Sequence, residues 1–544
     1  MAPRPRLRFR RTLPSWLTPK RVRWTRRWGV RGLLGLTALV LCHVGGVVVT
    51  DAFPARADTD HYQVEASLDL SPWRWSRIRS FTTVGDLTIS FNTPIPAAGI
   101  EARPQIKRSI VGVVDPVSSA PTTASSLVPT KAEITEAGRQ LVVNLTVRYL
   151  IGVLMVVAFI LTATHLRWSR HRRKGLLLGL LAGTLAMTYS AASALVTYRP
   201  EQVKTYSATE LLATFQSSPE VLASIESRAG QVEPYVTNWL QLQNALQERF
   251  ISPEVAKADT VRFLLVSDIH GTNEYAVMKK IVQSEDITAV IDTGDLLNFG
   301  ELSEGELSGL FKGIESLHVP YIFVDGNHDA ISRTDEALLQ RLSTVSNVIL
   351  PDPAAENYQL LSIAGVRIVG MNDPRYYGDS NNDIGAVEKP AAEAFDKAFK
   401  GVPDLDIALS HEPTASDAID VGTVRIRGHL HRASLDGNTI GVGSFTGGGL
   451  MSYYRNDAAE TSTDEPGAEL IGQPQAFDIL RYNADCSINS LQRLVYSDLI
   501  EGSPKYDSVT VINGSAVSSA TPTAGRRCVS TEPTSKTPVA QVEK

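Results

Sequence analysis

The hydrophobic pattern divides the chain near residue 200. Before that point, three long apolar runs at 33–50, 149–164 and 175–198 contain no Asp, Glu, Lys or Arg. Crossing a bilayer takes about 20 apolar residues, within a range of roughly 17–25. The runs therefore predict transmembrane helices over 32–50, 148–166 and 175–198, rather than buried core helices. Between the first two runs, residues 51–146 alternate polar and apolar positions in short stretches such as HYQVEASLDL and DLTISF, broken by Pro and Gly. That pattern predicts a small β-rich domain, with SSAPTTASSLVPT (118–130) as a loop and 132–147 as an amphipathic lead-in to the second span. After residue 200, Leu211, Leu212, Phe215, Val221, Leu222 and Ile225 recur at intervals of three and four, which predicts a helical connector over 199–259. From 260 to 512, apolar β-runs alternate with helical stretches, the pattern of an α/β domain. The tail 513–544, rich in Ser, Thr, Pro and Ala, reads as disordered apart from Cys528.

Charge gives these segments an orientation. Residues 1–31 form a basic head with eleven Lys or Arg and no acidic residue. The loop 167–174 is basic as well, with Arg167, Arg170, Arg172, Arg173 and Lys174. Both are expected in the cytoplasm, so 51–146 and everything after 198 are expected outside it. A cleaved signal peptide is the competing reading of the first run. Ala55-Arg56-Ala57 has the form of a cleavage site, and Arg26-Arg27 weakly resembles a twin-arginine signal; either outcome leaves the same regions outside. The predicted location is the cell membrane, multi-pass, with the bilayer as one partner. No aromatic-interleaved basic patch suggests nucleic-acid binding. The spans hold no ionisable residue by this reading, which disfavours a transporter or channel. None of the three cysteines forms a CxxC pair, which argues against a zinc–thiolate site; an extracytoplasmic location would permit a Cys486–Cys528 disulfide.

Five polar motifs follow residue 260, each directly after an apolar β-run. VRFLLVSDIH supplies Asp268 and His270, VIDTGD supplies Asp295, and YIFVDGNHD supplies Asn327 and His328. IALSHEP supplies His411, and VRIRGHLH supplies His429 and His431. The carboxyl ends of strands are where α/β sheets carry their sites. Carboxylates and imidazoles without thiolates suit Mn, Fe, Zn or Mg, and one carboxylate can bridge two cations. Read as extended backbone, DxH and HxH would each aim both side chains at one metal. Glycines before Asp295, Asn327 and His429 would permit tight turns. Six histidines follow residue 260, and only His318 lies outside these motifs; it reads as structural.

The order DxH, GD, GNHD, H, GHxH resembles the calcineurin-like metallophosphoesterase family over roughly 261–432. Together with the three spans it suggests a membrane-anchored bacterial member of actinobacterial type. The resemblance implies a four-layer α/β/β/α sandwich, here preceded by three transmembrane helices and the small β-rich extracytoplasmic domain. It implies two divalent metal ions: one held by Asp268, His270 and His431, the other by Asn327, His411 and His429, with Asp295 bridging. His328 would be the catalytic histidine, and the activity would be phosphate-ester hydrolysis by a hydroxide that two metals activate. A catalytically silent binding module on the same scaffold is the alternative, disfavoured because no ligand position is substituted. Asp329 could orient His328 or cap a helix. Asp292 and Asn298 read as structural, Arg375 as an exposed loop arginine with reach to a substrate phosphate as the alternative, and 443–450 (GSFTGGGL) as a site rim or a plain loop.

The nearest basic residues in the motif segments are Arg425, Arg427 and Arg432. In one unbroken strand Arg425 and Arg427 would share a side with His429 and His431, unless Gly428 breaks the register. No arginine cluster suits a dianion, so a phosphodiester or phosphoanhydride is favoured over a monoester. A lipid-linked or cell-envelope phosphate fits the tethered placement.

Overall fold

The computed structural model describes residues 19–59, 62–82, 85–106, 131–167, 172–209, 212–213, 260–354, 356–379, 383–449, 454–455, 470–471, 473–500 and 503–541. They form two compact units, Met1–Arg77 with Thr93–Gln105 and Ala132–Thr197, and Ile78–Asn92 with Ile106–Lys131 and Tyr198–Lys544.

The first unit holds three helices, α1 (Pro19–Ala52), α2 (Lys131–Arg167) and α3 (Arg172–Thr197). Their segments Gly32–Ala52, Glu136–Ala163 and Gly179–Thr197 are long and apolar enough to cross a membrane. The lead-in at 132–147 is continuous with the second apolar run, so one helix carries both. Buried Ala38, Cys42, Val47, Val153, Val157, Ala182 and Ala186 pack the three together. A side chain at Gly152 would strike the backbone of Gly45, the close approach that small residues permit. The sequence reading of spans without ionisable groups needs correction at His43. Its Nδ1 lies 2.9 Å from the Tyr149 hydroxyl, to which Ser190 Oγ donates at 2.7 Å. An imidazole among apolar helices needs such partners, because an unpaired polar group is costly there. The unit also holds strand β1 (Ala55–Asp58), paired antiparallel with β2 (Tyr62–Asp69).

Residues 51–146, expected as one small domain, are divided in the structure. Strands β3 (Arg77–Thr82) and β4 (Gly85–Phe91) lie almost wholly within the second unit, whereas β5 (Gly99–Ile106) lies almost wholly within the first. The expected helical connector begins instead as strand β6 (Val203–Thr209), antiparallel to β4. The helical spacing starts at Leu211, beyond this strand, and 214–259 lies outside the described residues.

The second unit contains two mixed sheets. In the first, β6 is followed by β21 (Ser503–Asn513), β20 (Ile488–Ile500), β19 (Gln475–Tyr482), β7 (Val261–Val266), β8 (Ala289–Asp292), β9 (Tyr321–Phe323) and β10 (Val348–Ile349). Pairing is antiparallel up to β7 and parallel from β7 to β10. The second sheet runs β15 (Ser434–Asp436), β16 (Thr439–Gly441), β14 (Val424–Arg427), β13 (Ile407–Leu409), β12 (Val366–Gly370), β11 (Gln359–Ile363), β22 (Ser535–Pro538). Strands β12, β13 and β14 are parallel.

Three buried clusters organise the unit. Phe263, Leu265, Ile291, Leu361, Ile368, Leu409 and Ile426 join residues of both sheets. The alternate residues Leu264, Val266, Val290 and Phe323 pack with Tyr275, Met278 and Ile281 of helix α4 (Tyr275–Ser284). Val369 and Ala408 pack with Phe395 and Phe399 of helix α5 (Ile384–Phe399). Strands buried on both faces read as unbroken apolar runs, which is why VRFLLV, AVID and IAL were visible in sequence.

The tail corrects the expectation of disorder. Strand β22 pairs antiparallel with β11, Cys528 is disulfide-bonded to Cys486 with Cα atoms 5.0 Å apart, and Arg526 binds the Asp406 carboxylate. Its composition cannot bury a core of its own, but it docks on an edge strand that the rest of the unit provides.

Candidate metal centre

All five motifs leave the carboxyl ends of parallel strands. Asp268 and His270 follow β7, Asp295 follows β8, and Asn327 and His328 follow β9. His411 follows β13, and His429 and His431 follow β14. The backbone there is not the extended chain that DxH and HxH suggested. Asp268, His270, Asp295, His429 and His431 have φ of 53°, 47°, 58°, 70° and 50°, all in the left-handed region. Non-glycine residues there cost of order 1–3 kcal/mol each and persist only where surroundings enforce them. The chain turns back at each of these five, so their convergence comes from tight loops rather than strand alternation. Two glycines make the approach possible. Gly294, at φ 103°, has no space for a Cβ beside the 325–326 backbone, and a Cβ on Gly428 would strike Ser267 Oγ.

Two clusters result. Asp268, His270 and His431 each offer an atom within 4.8 Å of the others, as do Asp295, His411 and His429. In the first, His270 Nε2 and His431 Nε2 lie 3.0 Å apart, and Asp268 Oδ1 lies 3.3 Å from His431 Nε2. In the second, Asp295 Oδ2 lies 3.1 Å from His411 Nε2, and 3.8 Å from His270 Nε2 of the first cluster. Asp295 thus stands between the two. Its Oδ1 accepts from the His328 amide at 2.8 Å, which leaves Oδ2 for the centre.

The donor set fits divalent cations. Both Asp268 oxygens, Asn327 Oδ1, His411 Nε2 and His429 Nδ1 are buried without a hydrogen-bond partner. So many buried polar atoms without a hydrogen bond in one place are costly unless a cation meets them. His411 Nδ1 lies 2.7 Å from the Thr293 carbonyl and His431 Nδ1 lies 3.1 Å from Gln473 Oε1, so each ring presents Nε2 inward. Burial pushes His270 and His429 down to about 4, so both are neutral. Burial opposes protonation of His411 and His431 too, but the Asp295 and Asp268 carboxyls beside them hold both above the usual imidazole range, so a cation bound there would displace their protons. Burial opposes ionisation of Asp268 and Asp295, but the Asp268 contact with His431 and the charge of His411 beside Asp295 outweigh it. Both carboxyls stay below the usual range.

His328 is half-buried beside the clusters. Its Nδ1 lies 2.6 Å from the Asn298 carbonyl, and its ring stands edge-on to His270 with centroids 5.0 Å apart. Asn298 is thus more than structural. It orients His328 through its carbonyl, its Nδ2 donates to the His270 carbonyl at 3.0 Å, and Glu304 holds its amide. Asp329 does neither job expected of it. Its carboxylate accepts from the amides of Asp295 and Gly326 at 2.8 Å and of Leu297 at 2.9 Å, cross-linking two ligand loops. Asp292 is structural, accepting from the Gly294 amide and the Tyr321 hydroxyl. The 443–450 loop braces the first cluster: Ser444 Oγ donates to the Asp268 carbonyl at 2.6 Å and Thr446 Oγ1 to the Ile269 carbonyl at 2.8 Å.

The arginines are distributed otherwise than expected. Arg425 is committed to the Ile419 carbonyl, Asn438 and Thr439. Arg432 is exposed, and the left-handed turn at His429 ends the register that would have aligned Arg427 with the histidines. Arg375 is half-buried rather than exposed, with Nε lacking a partner. His318 is exposed in a left-handed turn. Gln473 and Glu304 had no motif to reveal them.

Residues 261–433 match the family model of the calcineurin-like phosphoesterases. No curated protein matches the chain in sequence. Among solved structures it is similar to a dimetal phosphatase from Danio rerio, with 13% identity, 47% of this chain and 100% of that one covered, and a TM-score of 0.26. It is also similar to PhoD, with 11% identity, coverage of 50% and 74%, and a TM-score of 0.30. A third is the phosphopantetheinyl hydrolase of Mycobacterium tuberculosis, with 13% identity, coverage of 35% and 91%, and a TM-score of 0.23. Residues 261–433 thus form a calcineurin-like phosphoesterase domain, a phosphoester-hydrolase domain within the longer chain.

Proposed function

We propose that this is a membrane-anchored, metal-dependent phosphoesterase that acts outside the cytoplasm, with phosphodiesters favoured. The observation that carries the reading is the pair of His/Asp clusters with Asp295 between them and orphaned donors facing inward. Asp268, His270 and His431 would hold one divalent ion, Asn327, His411 and His429 the other, and Asp295 both. Bound divalent cations supply Lewis acidity and lower the pKa of water. His328 does the remaining proton work. With Nδ1–H donating to the Asn298 carbonyl, Nε2 of the protonated ring carries the proton for the leaving oxygen. The three buried clusters of the second unit support a four-layer helix–sheet–sheet–helix arrangement.

The diester preference rests on the cations. Among the described residues, Arg425 is fully engaged, Arg375 sits among carboxyls, and Arg427 alone falls short of the cluster a dianion needs. The extracytoplasmic placement rests on the basic head and loop, and the Cys486–Cys528 disulfide suits an oxidising compartment. A lipid-linked or cell-envelope phosphate suits a chain with three such apolar helices. Full-length protein loaded with Mn, Fe, Zn or Mg should hydrolyse bis-p-nitrophenyl phosphate with higher kcat/KM than p-nitrophenyl phosphate. The reverse preference would overturn the diester assignment. A reporter active only outside the cytoplasm, fused after Tyr198, should be active; activity of a cytoplasmic reporter alone would refute the orientation.

A further inference from the structure

Among the described residues of the second unit, six large apolar side chains stand exposed: Phe299, Leu307, Ile331, Tyr377, Leu430 and Leu499. Four of the six adjoin the centre. Phe299 follows Asn298, whose carbonyl orients His328; Ile331 closely follows the GNHD motif; Leu430 stands between His429 and His431. Tyr377 packs on His328 itself, with ring centroids 5.3 Å apart, and its other neighbour is Phe299 at 5.5 Å. Their exposures are 43% for Phe299, 50% for Ile331, 38% for Tyr377 and 53% for Leu430, so among the described residues of the unit four of the six exposed large apolar side chains gather at the candidate site.

The group is held in place by its backbone. The Phe299 amide donates to Glu304 Oε1 at 2.9 Å, and the Tyr377 amide donates to the Ala330 carbonyl at 2.8 Å. A Cβ on Gly300 would lie 3.0 Å from Ile331 Cγ2, so Ile331 leans on the loop that carries Phe299. A preformed apolar surface binds without an ordering cost. Its position beside His328 decides what it meets. An alcohol leaving with the His328 proton emerges against Tyr377 and Phe299.

We propose that Phe299, Ile331 and Tyr377 form an apolar collar that receives the alcohol portion of the substrate, so that the enzyme selects phosphate esters of apolar, alkyl-chain alcohols. This rests on the phosphoesterase reading above and adds the substrate class to it. The test uses full-length, metal-loaded protein in detergent with methyl, butyl and octyl phosphates, each as the monoester and as the methyl diester, below their micelle concentrations. The leaving alcohols are closely similar in basicity, so chain length reports on binding alone. A fully buried methylene is worth about fourfold. The kcat/KM ratio of butyl to methyl should therefore reach about tenfold with partial burial. It should fall to about one to three in the Phe299→Ala/Tyr377→Ala double variant and persist in Tyr377→Phe. A flat series in an enzyme that turns these esters over would overturn the collar and leave the phosphoesterase reading standing. No turnover of any ester with any metal would overturn both. A parallel arm presents a long-chain ester in phosphatidylcholine vesicles. A chain-length preference seen only there would place the selectivity in bilayer partitioning and overturn the collar. Preference for a nucleosyl ester over the octyl ester would overturn it as well.

Discussion

The two halves of the centre are braced by different parts of the chain. The loops of the second cluster are tied within the motifs themselves, where Asp329 of GNHD binds the amides of Asp295 and Gly326, and the Thr293 carbonyl meets His411 Nδ1. The first cluster relies on residues well beyond its motifs: Ser444 and Thr446 hold the Asp268–Ile269 backbone, and Gln473 meets His431. One half is supported locally by a carboxylate, the other remotely by hydroxyls and an amide. One carboxyl that ties three backbone amides, those of Asp295, Gly326 and Leu297, holds more of the chain than the single side chains that brace the first cluster, so the second half should be the more rigid and the costlier to disturb.

Asp295 joins the two, and its loss should have the largest effect. Asp295→Asn keeps the shape but weakens the anionic oxygen that faces both clusters. Turnover should fall to the background of chelated wild type, and metal content measured by atomic emission should drop while the circular dichroism stays native. Full activity with two metals bound would remove Asp295 from its place between the halves.

His328→Ala should come next, because it leaves both clusters intact. The expected loss is about 10²–10⁴-fold in kcat, the usual worth of general acid–base help, with metal content unchanged. Loss of metal would make His328 a ligand and the division into two clusters incomplete.

A third pair of variants sharpens the comparison itself. Asp329→Ala strips three backbone amides of their acceptor and should cost about 10–100-fold in metal affinity, as supporting residues typically do. Ser444→Ala removes two neutral hydrogen bonds, of which only the one to the Asp268 carbonyl touches a ligand loop, the other coming from the Gly448 amide. The bond to Asp268 is worth about 0.5–1.5 kcal/mol, and its loss should weaken binding by at most about tenfold. Metal titrations by calorimetry should rank Asp329→Ala as the more damaging. Equal losses would mean that local and remote bracing are equivalent.

The same contrast explains what was legible in the sequence. Every candidate ligand stood at the end of an apolar strand, so strand period and residue type were enough to single out Asp268, His270, Asp295, Asn327, His411, His429 and His431 as candidates, while their division between two ions came from the family resemblance. Backbone conformation was not legible, because a left-handed φ at Asp268 or His431 leaves no mark on residue type. Remote supports were harder to read for a related reason: Gln473 carries no spacing that ties it to the histidines, and Ser444 lay in 443–450, which the sequence left open between a site rim and a plain loop. The tail and β6 were misread because their partners, β11 and β4, lie far off in sequence, and a strand completed by a distant neighbour shows little period of its own. His43 was overlooked because a charge-based reading of the spans does not count imidazole.

The smallest effect concerns acids that flank the centre without belonging to either cluster. Glu388 on α5 is fully buried, with the Asp373 carboxyl beside it. Burial, reinforced by the negative charge of Asp373, pushes it up to about 9. The folded protein therefore keeps this proton to about pH 9, whereas an unfolded glutamate loses it near pH 4.5. Between those values the folded state binds more protons than the unfolded one, so stability is full below the window and declines as pH rises through it. Asp292 and Asp352, each pushed up to about 7 by burial, act in the same direction over a narrower span. Thermal melts of the wild type should accordingly show a falling Tm from pH 5 to pH 9. Glu388→Gln keeps the shape and cannot ionise, so it should recover part of that fall above pH 7, by at least about 2 °C, roughly what 1 kcal/mol produces in a large domain. The two aspartates should preserve the rest of the slope. An unchanged slope in Glu388→Gln would mean that Glu388 ionises in the folded state as readily as in the unfolded one.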